Sequence, residues 1–387
     1  MSYIDIVSGG TRAAEDLIEI EALADYGYAI QVAEDIFDPA SDVLADAVGG
    51  RHSLFVLSPS IDRLYGARIR AYLAARLDPA VTRMHVCPSG EHNKTLDSVV
   101  SLCEAARAAA MDRDGLFVAV GGGIVLDMVG FAASIYRRGT KYIKLPTTLV
   151  GQVDVAVGVK TGVNAFRSKN ILGNYYPAYA TINDPKFLKT LPERELRCGM
   201  AEVIKMALVA DADLFDRIEA GLGNGGPIDF SGWDYGIYYQ AMLRMAQELQ
   251  PNLLEADLER IVDFGHTFSM RFEIDSDHQV LHGEAVAIDM ALSCCVARVL
   301  GLLSAHDCDR AVAMIRRAGL DIWDPALCRV EGLRRSIGEV QLHRKAVNLV
   351  LPTAIGQATF VKQAETLSAD VLQAAIDQLA DYAGGHG

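Results

Sequence analysis

The chain has 387 residues, of which 51% are hydrophobic and 22% are charged. This composition is typical of a globular protein, and the length predicts two domains. The formal net charge is −14, and so acidic a chain is not expected to bind nucleic acid or an anionic membrane. An anionic small-molecule substrate would need local basic residues to hold it.

The sequence shows no pattern that predicts secretion or a membrane span. The first residues, MSYIDIVSGGTRAAEDL, lack both a basic start and an apolar run. The apolar segment 281–304 is interrupted by charged residues and therefore predicts a buried helix rather than a membrane span. The seven cysteines show no C-x-x-C spacing, which indicates reduced thiols and a cytoplasmic protein.

Strands and helices alternate through the first half of the chain. Sequence patterns predict strands within 52–60, 84–90, 115–123 and 141–148, and helices at 62–77, 95–110 and 124–136. Such repeated β-α-β units predict a parallel sheet covered by helices. After the segment 183–195, apolar residues recur with the helical period. We therefore expect an α/β domain over 1–187 and a mainly helical domain over 188–387.

A glycine-rich turn, Gly121 to Gly123, joins one predicted strand to the next helix. Glycines there would let a phosphate approach the backbone and the helix N-terminus. A tight turn with positive φ is an equally good explanation, and the spacing is not the dinucleotide fingerprint G-x-G-x-x-G. In the loop 88–98, Glu91 and Lys94 could hold ribose and phosphate. The alternative there is a solvated loop with a helix cap at Thr95.

Three residues form a candidate metal site. His266 and His282 both adjoin glycines at expected helix starts, and Glu202 lies in the apolar helix GMAEVIKM. A catalytic zinc takes three protein ligands of these types and keeps one position open. The alternative for Glu202 is a surface pair with Lys205, three residues away on the same helix face. A third histidine, His278, lies in a polar run and is expected on a surface loop.

A basic cluster reverses the sign of the chain's charge over residues 137–170. Small residues flank some of its lysines, as in GVKTG and SKN, which favours phosphate binding. The alternative is a basic face that pairs with acidic surface elsewhere. The cluster contains Asp154 and the cations Arg137, Arg138, Lys141, Lys144, Lys160, Arg167 and Lys169.

Six motifs in order make the chain resemble the sugar phosphate cyclases, the superfamily of dehydroquinate synthase. They are GGGIVLDMVGFAASIYRRG, LPTTLVGQVDVAVGVKTGVN, KNILGNYYP, LKTLPERELRCGMAEVIK, DFGHTFS and LHGEAVAIDM. The resemblance implies a Rossmann-like α/β NAD-binding domain followed by a mainly α-helical metal-binding domain, usually in a homodimer.

The resemblance also implies roles for individual residues. The zinc (or cobalt) ligands would be Glu202, His266 and His282. The positions expected to contact NAD are Glu91, Lys94, Gly122, Gly123, Asp127, Thr147, Thr148, Lys169, Thr190 and Glu195. The substrate phosphate would be held by Lys160, Asn170 and, from the neighbouring subunit, Arg138. The catalytic positions around the reacting carbons would be Asp154, Lys160, Lys169, Lys205 and Asp263.

Three departures from dehydroquinate synthases indicate a different substrate. Glu259 replaces an arginine that binds the substrate carboxylate, Asp263 replaces an asparagine, and Met270 replaces a histidine. Acidic side chains would repel a carboxylate, so a hydroxymethyl ketone end fits better, with Asp263 accepting its hydroxyl hydrogen bonds. Sedoheptulose 7-phosphate is the corresponding substrate. Met270 stands where proline is common in the 2-epi-5-epi-valiolone synthase branch, which leaves the product's configuration open.

The expected activity is therefore a redox-neutral, NAD- and metal-dependent cyclisation that releases phosphate and forms 2-epi-5-epi-valiolone or its epimer 2-epi-valiolone for natural-product biosynthesis. Alternatives within the superfamily are a dehydroquinate synthase-type or a desmethyl-4-deoxygadusol-forming cyclase. A metal-dependent NAD polyol dehydrogenase would use the same fold but needs no phosphate cradle. An inactive cofactor-binding protein is a third alternative, but it would be expected to lack one or more of the three metal ligands, which are all present here.

Overall fold

The structure, a computed structural model, describes residues 4–14, 17–166, 168–222, 235–277 and 279–384. The chain divides into two compact units, Met1–Leu188 and Lys189–Gly387. His278 and Arg167 lie outside the described residues, so the expectations for them stay predictions.

A parallel six-stranded sheet forms the centre of the first unit. Its strands are β3 (Ile30–Val32), β4 (Ser53–Leu57), β5 (Thr82–Val86), β6 (Leu116–Gly121), β7 (Lys141–Pro146) and β10 (Ala180–Asn183). They lie in the order β3-β10-β7-β6-β4-β5, and each pair is parallel. β4, β6 and β7 are buried along almost their whole length, as continuous apolar runs in a covered parallel sheet require. The predicted α/β class is confirmed.

Helices cover both faces of this sheet. They are α1 (Val43–Val48), α2 (Pro59–Arg76), α3 (Leu96–Ala108) and α4 (Gly123–Ile135). One apolar cluster joins α3 and α4 to the sheet and includes Val99, Val129 and Tyr142. The other joins α1 and α2 to the opposite face and includes Leu44, Ile69 and, from β6, Val118.

Two antiparallel hairpins in the first unit were not predicted. One pairs β1 (Ile4–Ala14) with β2 (Leu17–Tyr26), and the other pairs β8 (Lys160–Ala165) with β9 (Ser168–Tyr175). The β8–β9 hairpin contains many polar or small residues, so it lacks the apolar pattern by which a strand is recognised. Between β7 and β8 the chain forms one π-helical turn, Gly151–Val155.

The second unit is mainly helical, as expected. Its helices are α5 (Glu193–Ala210), α6 (Ala212–Gly221), α7 (Tyr235–Leu249), α8 (Ser269–Asp275), α9 (His282–Val299), α10 (Ala305–Arg317), α11 (Val330–Arg344) and α12 (Ala369–Gly384). One unpredicted hairpin pairs β11 (Leu349–Ala354) with β12 (Gln357–Val361). The segment expected as a buried helix is α9, and it packs against α5, α8, α10 and α12. Within the described ranges, no helix combines the length and apolarity needed to cross a bilayer.

Helices α5 and α9 approach each other closely at a glycine. A Cβ on Gly283, the second residue of α9, would lie 2.3 Å from the carbonyl oxygen of Cys198 and 2.4 Å from its Cα. Both atoms belong to the backbone of α5, so no side-chain rotation could make room. Glycine at this position therefore lets the start of α9, with His282, reach the stretch of α5 that carries Glu202.

We predict that Gly283→Ala destabilises the protein by about 1–3 kcal/mol or more, because overpacking against backbone forces the two helices apart. The free energy of unfolding of the wild type and of Gly283→Ala is measured with a chemical denaturant, and the zinc content of each protein is measured as well. Gly338→Ala is the matched control. A Cβ there meets nothing within 4 Å, so this variant should be neutral or more stable by about 0.5–1 kcal/mol. Equal stability of Gly283→Ala and the wild type would contradict the prediction.

Candidate active site

The glycine turn and the Thr147–Thr148 pair lie at the same edge of the parallel sheet. β6 ends at Gly121 opposite Pro146 of β7, and the Thr147 amide donates to the Gly121 carbonyl over 3.0 Å. The carboxyl edge of an open parallel sheet is where such folds bind ligands. The predicted NAD positions Gly122, Gly123, Thr147 and Thr148 are thus brought together.

Glycine is favoured in this turn because a side chain would crowd neighbouring residues, and not because the backbone needs a positive φ. Gly122 has φ −78°, and none of the three glycines has positive φ. The alternative of a positive-φ turn is therefore wrong. A Cβ on Gly122 would lie 3.0 Å from Thr148 Cγ2, and one on Gly123 would lie 3.3 Å from Val155 Cγ2. Gly122 and Gly123 are partly exposed at the N-terminus of α4, where backbone amides could contact a phosphate.

Lys94 connects two sets of predicted site residues. Its Nζ donates to Asp127 Oδ2 over 2.6 Å and to Asn170 Oδ1 over 2.5 Å, and only 5% of the residue is exposed. Lys94 is therefore not part of a solvated loop. The helix cap at Thr95 is present as well, since its hydroxyl accepts the Ser98 amide of α3. The helix cap is therefore confirmed, a solvated loop is wrong at Lys94, and contacts of Glu91 and Lys94 with ribose and phosphate stay a prediction.

Asn164 is a member of this network that the sequence did not reveal. Its Nδ2 donates to Glu91 Oε1 over 2.7 Å, and its Oδ1 accepts the Asn170 amide over 2.9 Å. Lys169 Nζ lies 3.8 Å from the same Glu91 oxygen. Asn170 has φ 51°, a conformation that asparagine tolerates better than most residues. The network holds the β8–β9 hairpin against the loop of Glu91.

The basic cluster does not form one surface. Lys144 is buried at 1% exposure, and its Nζ donates to the carbonyls of Val155 and Gly158 over 2.8 and 2.7 Å. Burial lowers the pKa of Lys144 to about 8. Assigning Lys144 to a phosphate-binding or acid-pairing face was therefore wrong, because this lysine caps the turn that contains Asp154.

The other cations of the cluster that the structure describes are nearer the surface. Arg137 Nε donates to the Met111 carbonyl over 3.2 Å, and Lys141 Nζ lies 5.2 Å from the centre of the Tyr179 ring. Arg138 and Lys160 are exposed. These two predicted phosphate ligands are thus on the surface of the first unit.

The second unit brings the predicted metal ligands together. Glu202 of α5 is fully buried, His282 is the first residue of α9, and His266 lies in the turn before α8. Glu202 Oε1 is 3.2 Å from His282 Nε2 and 3.8 Å from His266 Nε2. One ligand atom from each of the three residues lies within 4.8 Å of the others. The expectation that His266 also opens a helix was wrong, since α8 begins at Ser269.

Further contacts orient the two imidazoles. His266 Nδ1 lies 3.0 Å from the Phe264 carbonyl, and His282 Nδ1 lies 3.1 Å from Glu273 Oε1. If each Nδ1 carries the proton, each Nε2 lone pair faces Glu202, which is the form that binds a metal. Glu273, buried in α8, is a site residue that sequence reasoning missed, because it lies in a different helix from every ligand.

Electrostatics favour an anionic Glu202. Burial acts to raise its pKa, but the nearby Lys205 ammonium and the two imidazoles hold the pKa well below the usual value. Lys205 Nζ lies 2.5 Å from Glu202 Oε2, and both side chains are buried. The pair expected at the surface thus exists inside the protein. Burial, the Lys205 charge and the neighbouring imidazole lower the pKa of His266 to about 4, so it is neutral near pH 7.

These residues fit a bound metal ion. Both carboxylate oxygens of Glu202 are buried and accept no hydrogen bond of regular geometry from the described residues. Buried oxygens without such bonds cost free energy unless another partner supplies the interaction. One carboxylate and two imidazoles form a common ligand set for catalytic zinc. Burial opposes a positive charge on His282, but the Glu202 and Glu273 carboxylates raise its pKa to about 10, so a metal ion would bind there in place of a proton.

Three further predicted positions of the second unit are Thr190, Glu195 and Met270. Thr190 and Met270 are exposed, with 52% of Met270 accessible. Glu195 lies in the first turn of α5, where burial raises its pKa.

A buried aspartate links the turn of His266 to the helix of His282. Asp289 Oδ2, on α9, accepts the amides of Phe268 and Ser269 over 2.6 and 2.9 Å. Its Oδ1 accepts the Ser293 hydroxyl over 3.1 Å. Burial raises the pKa of Asp289 to about 6, against the opposing effect of these donors.

Comparison with known proteins establishes the family. The model of the 3-dehydroquinate synthase N-terminal domain matches residues 84–198, and the model of its C-terminal domain matches residues 199–337. Together they cover more than half of the chain. The chain therefore belongs to the 3-dehydroquinate synthase family, whose members are sugar phosphate cyclases.

Individual relatives narrow the comparison. A 2-epi-5-epi-valiolone synthase of Streptomyces glaucescens is 49% identical over 95% of each chain. A 3-dehydroquinate synthase of Microcystis aeruginosa is 36% identical over 80% of this chain and 85% of its own. The structure of ValA, the 2-epi-5-epi-valiolone synthase of Streptomyces hygroscopicus subsp. jinggangensis 5008 with NAD+ and Zn2+ bound, has a TM-score of 0.85 at 36% identity. That match covers 94% of this chain and 99% of ValA.

We predict that Glu273→Gln weakens zinc binding by about 10- to 100-fold, because the charge that orients His282 is lost. Competition with a zinc-sensitive chelator measures this affinity. Glu339→Gln is the control, since Glu339 is an exposed carboxylate that contacts Arg271 and Arg335. Equal affinities in the two variants would rule out a role for Glu273 in the site.

We predict that Asp289→Asn gains stability relative to the wild type as pH rises from about 4 to 6. The folded-state pKa is raised to about 6, so in this interval the unfolded state loses its proton first and the wild type is progressively destabilised. Asparagine retains an acceptor for the two amides and cannot ionise. The difference in Tm should level off above about pH 6.5; a difference independent of pH would contradict this.

Proposed function

We propose that the protein is an NAD- and metal-dependent sedoheptulose 7-phosphate cyclase that releases phosphate and forms 2-epi-5-epi-valiolone. The observation that carries the proposal is the trio of the buried Glu202 with the partly exposed His266 and His282, in a chain that is 49% identical to a 2-epi-5-epi-valiolone synthase. Residues 1–187 would bind NAD, and residues 188–387 would bind the metal and substrate. The metal is Zn2+, as in ValA, or Co2+.

When bound, NAD accepts and returns a hydride, and the metal polarises the reacting alcohol or ketone as a Lewis acid. The chain's own residues supply position and charge. Glu202, His266 and His282 would hold the metal, and Lys205 beside Glu202 places an ammonium group in the same buried space. Lys205, Asp154, Lys169 and Asp263 would handle protons and hydroxyl groups of the substrate.

The phosphate would be held by Lys160, Asn170 and Arg138. Lys94 donates to the amide oxygen of Asn170, so the Asn170 Nδ2 group is the end that would donate to a phosphate. The NAD contacts would come from Glu91, Lys94, Asp127 and the glycine turn, with Thr147, Thr148, Thr190 and Glu195. A phosphate held by several fixed donors keeps a flexible sugar in one orientation through successive steps.

We further propose a cytoplasmic homodimer in which Arg138 serves the neighbouring subunit. Arg138 is exposed and has φ 69°, in the left-handed region. A bulky residue held in that conformation on the surface is a feature that functional sites tolerate.

A second candidate product is the epimer 2-epi-valiolone. Met270 stands where the 2-epi-5-epi-valiolone branch commonly has proline, and it is 52% exposed at the second position of α8. A residue so near the His266 turn could alter how the ring closes. This candidate shares the substrate and cofactors of the first.

We predict that sedoheptulose 7-phosphate, with catalytic NAD and Zn2+ or Co2+, yields inorganic phosphate and a seven-carbon cyclitol. Proton and carbon NMR of the product identify ring closure and distinguish the two epimers. NAD should not be consumed, because its hydride returns to the product. Stoichiometric NADH formation, or turnover of a simple polyol, would favour a dehydrogenase instead.

The variant His266→Ala should lose at least about 1000-fold in kcat, because removing a ligand of a catalytic metal removes its Lewis-acid contribution. Phosphate release and metal content are measured together. His306→Ala is the control, since His306 lies in the first turn of α10. A near-wild-type rate for His266→Ala would remove His266 from the metal site.

A further inference from the structure

A nearly buried arginine lies beside the metal trio, between two carboxylates. Arg260 Nε donates to Asp263 Oδ2 over 3.1 Å, and Nη2 contacts Asp263 Oδ1. Arg260 Nη1 forms an ion pair with Glu255 Oε1, without regular hydrogen-bond geometry. The three side chains are 9% (Arg260), 11% (Glu255) and 10% (Asp263) exposed.

The backbone at Glu255 indicates that its carboxylate is placed for this contact. Glu255 has φ 54°, a conformation that is unfavourable for a side chain with a Cβ and that glycine would adopt without cost. The loop around it is braced, because the Asn252 side chain bonds both the carbonyl and the amide of Asp257. The ion pair with Arg260 is a contact that accounts for a glutamate at this strained position.

The cluster adjoins the metal site through the backbone. The His266 amide donates to the Asp263 carbonyl over 2.9 Å, and Asp263 precedes His266 by three residues. Glu255, Arg260 and Asp263 together carry a net charge of −1. The neighbouring Glu259 adds little to this charge, because Lys362 Nζ lies 2.6 Å from its carboxylate.

We propose that Glu255 and Arg260 determine which end of a sugar phosphate the site accepts. Glu255 holds the Arg260 guanidinium in an ion pair, so this cation beside Asp263 cannot receive a substrate carboxylate. Arg260 in turn fixes the Asp263 carboxylate, which accepts substrate hydroxyl groups through its remaining lone pairs. The inference rests on the proposed function and adds two positioning residues to it.

The physical basis is that a carboxylate needs a bidentate donor to replace its hydration. In Arg260 the edge formed by Nε and Nη2 faces Asp263, and Nη1 faces Glu255. An incoming carboxylate would have to displace one of these protein carboxylates, and it would also meet the net negative charge of the cluster. A hydroxymethyl ketone end is neutral and needs only acceptors such as Asp263.

Glu255→Gln tests the proposal with the NAD- and zinc-loaded protein. The probe is a phosphorylated seven-carbon 2-keto acid, which carries a carboxylate where sedoheptulose 7-phosphate carries a hydroxymethyl group. Its Kd, measured by calorimetry, should fall by about tenfold, the effect of one partly screened charge. Because this is a binding measurement, it does not depend on turnover of any substrate. An unchanged Kd in a folded variant would overturn the proposal.

Glu219→Gln is the matched control for the loss of charge. Glu219 and Asp216 both contact Arg310 on the surface of the second unit, so the variant also removes one of two carboxylates from an arginine. Its Kd for the keto acid should equal that of the wild type. An equal gain of affinity in Glu219→Gln and Glu255→Gln would reflect overall charge and would overturn the proposal.

Arg260→Lys tests the positioning of Asp263 separately. A lysine keeps the charge but cannot bond two carboxylates in the plane of a fork. The KM for sedoheptulose 7-phosphate should rise by about tenfold, with kcat and zinc content within about threefold of the wild type. A lower Tm with unchanged KM would show a merely structural arginine and overturn this role. If the wild type releases no phosphate from sedoheptulose 7-phosphate, the proposed function fails, whereas the keto acid measurement still decides the role of Glu255.

Discussion

The close approach of α5 and α9 is the constraint on which the second unit depends. Gly283 meets the backbone of Cys198 where any larger residue would collide. Glu202 lies one helical turn beyond Cys198, and His282 immediately precedes Gly283. The helix contact therefore sets the distance between a carboxylate and an imidazole that are 80 residues apart in the sequence. The glycine at this helix crossing therefore affects the geometry of the candidate metal site as well as the packing of the two helices.

Burying Glu202 is unfavourable unless its charge is compensated. The ammonium of Lys205 compensates one oxygen, and the imidazoles of His282 and His266 face the other. These contacts still leave both oxygens without regular hydrogen bonds from the described part of the chain. The site is thus more charged and less satisfied than an ordinary buried ion pair, which is usually completed by additional hydrogen bonds. This imbalance is what a divalent cation would remove, so the protein's interior is arranged for a ligand rather than for its own stability.

Sequence reasoning succeeded where a pattern is local. The β-α-β alternation, the apolar α9 and the cap at Thr95 each depend on residues a few positions apart, and each is confirmed. The polar β8–β9 hairpin was missed because its strands have no apolar period. Lys144 was misplaced because nothing in its neighbours shows that a lysine strand residue points into the protein, toward the carbonyls of Val155 and Gly158.

The same limit applies within the candidate site. The residue types and spacing of Glu202, His266 and His282 indicated a metal site, but the orienting Glu273 and the tie formed by Asp289 depend on how helices pack. Reading Glu259 and Asp263 as two carboxylates facing a substrate was also incomplete. Lys362 pairs with Glu259, and Arg260 engages both oxygens of Asp263. Charge counted along a sequence therefore overstates the repulsion at this position.

The proposed selectivity against a carboxylate would then have a different physical source from simple repulsion. A guanidinium adjoins Asp263, and in an acidic chain such a group would attract anions. Its capacity is already used by two carboxylates of the protein, one of them on a strained residue. Rejection by a cation that is already paired is more specific than rejection by negative charge alone, because the phosphate of the substrate must still bind elsewhere in the same protein. A uniformly negative surface would exclude the phosphate together with the carboxylate, whereas an arginine already paired with protein carboxylates would discriminate at one end of the sugar only.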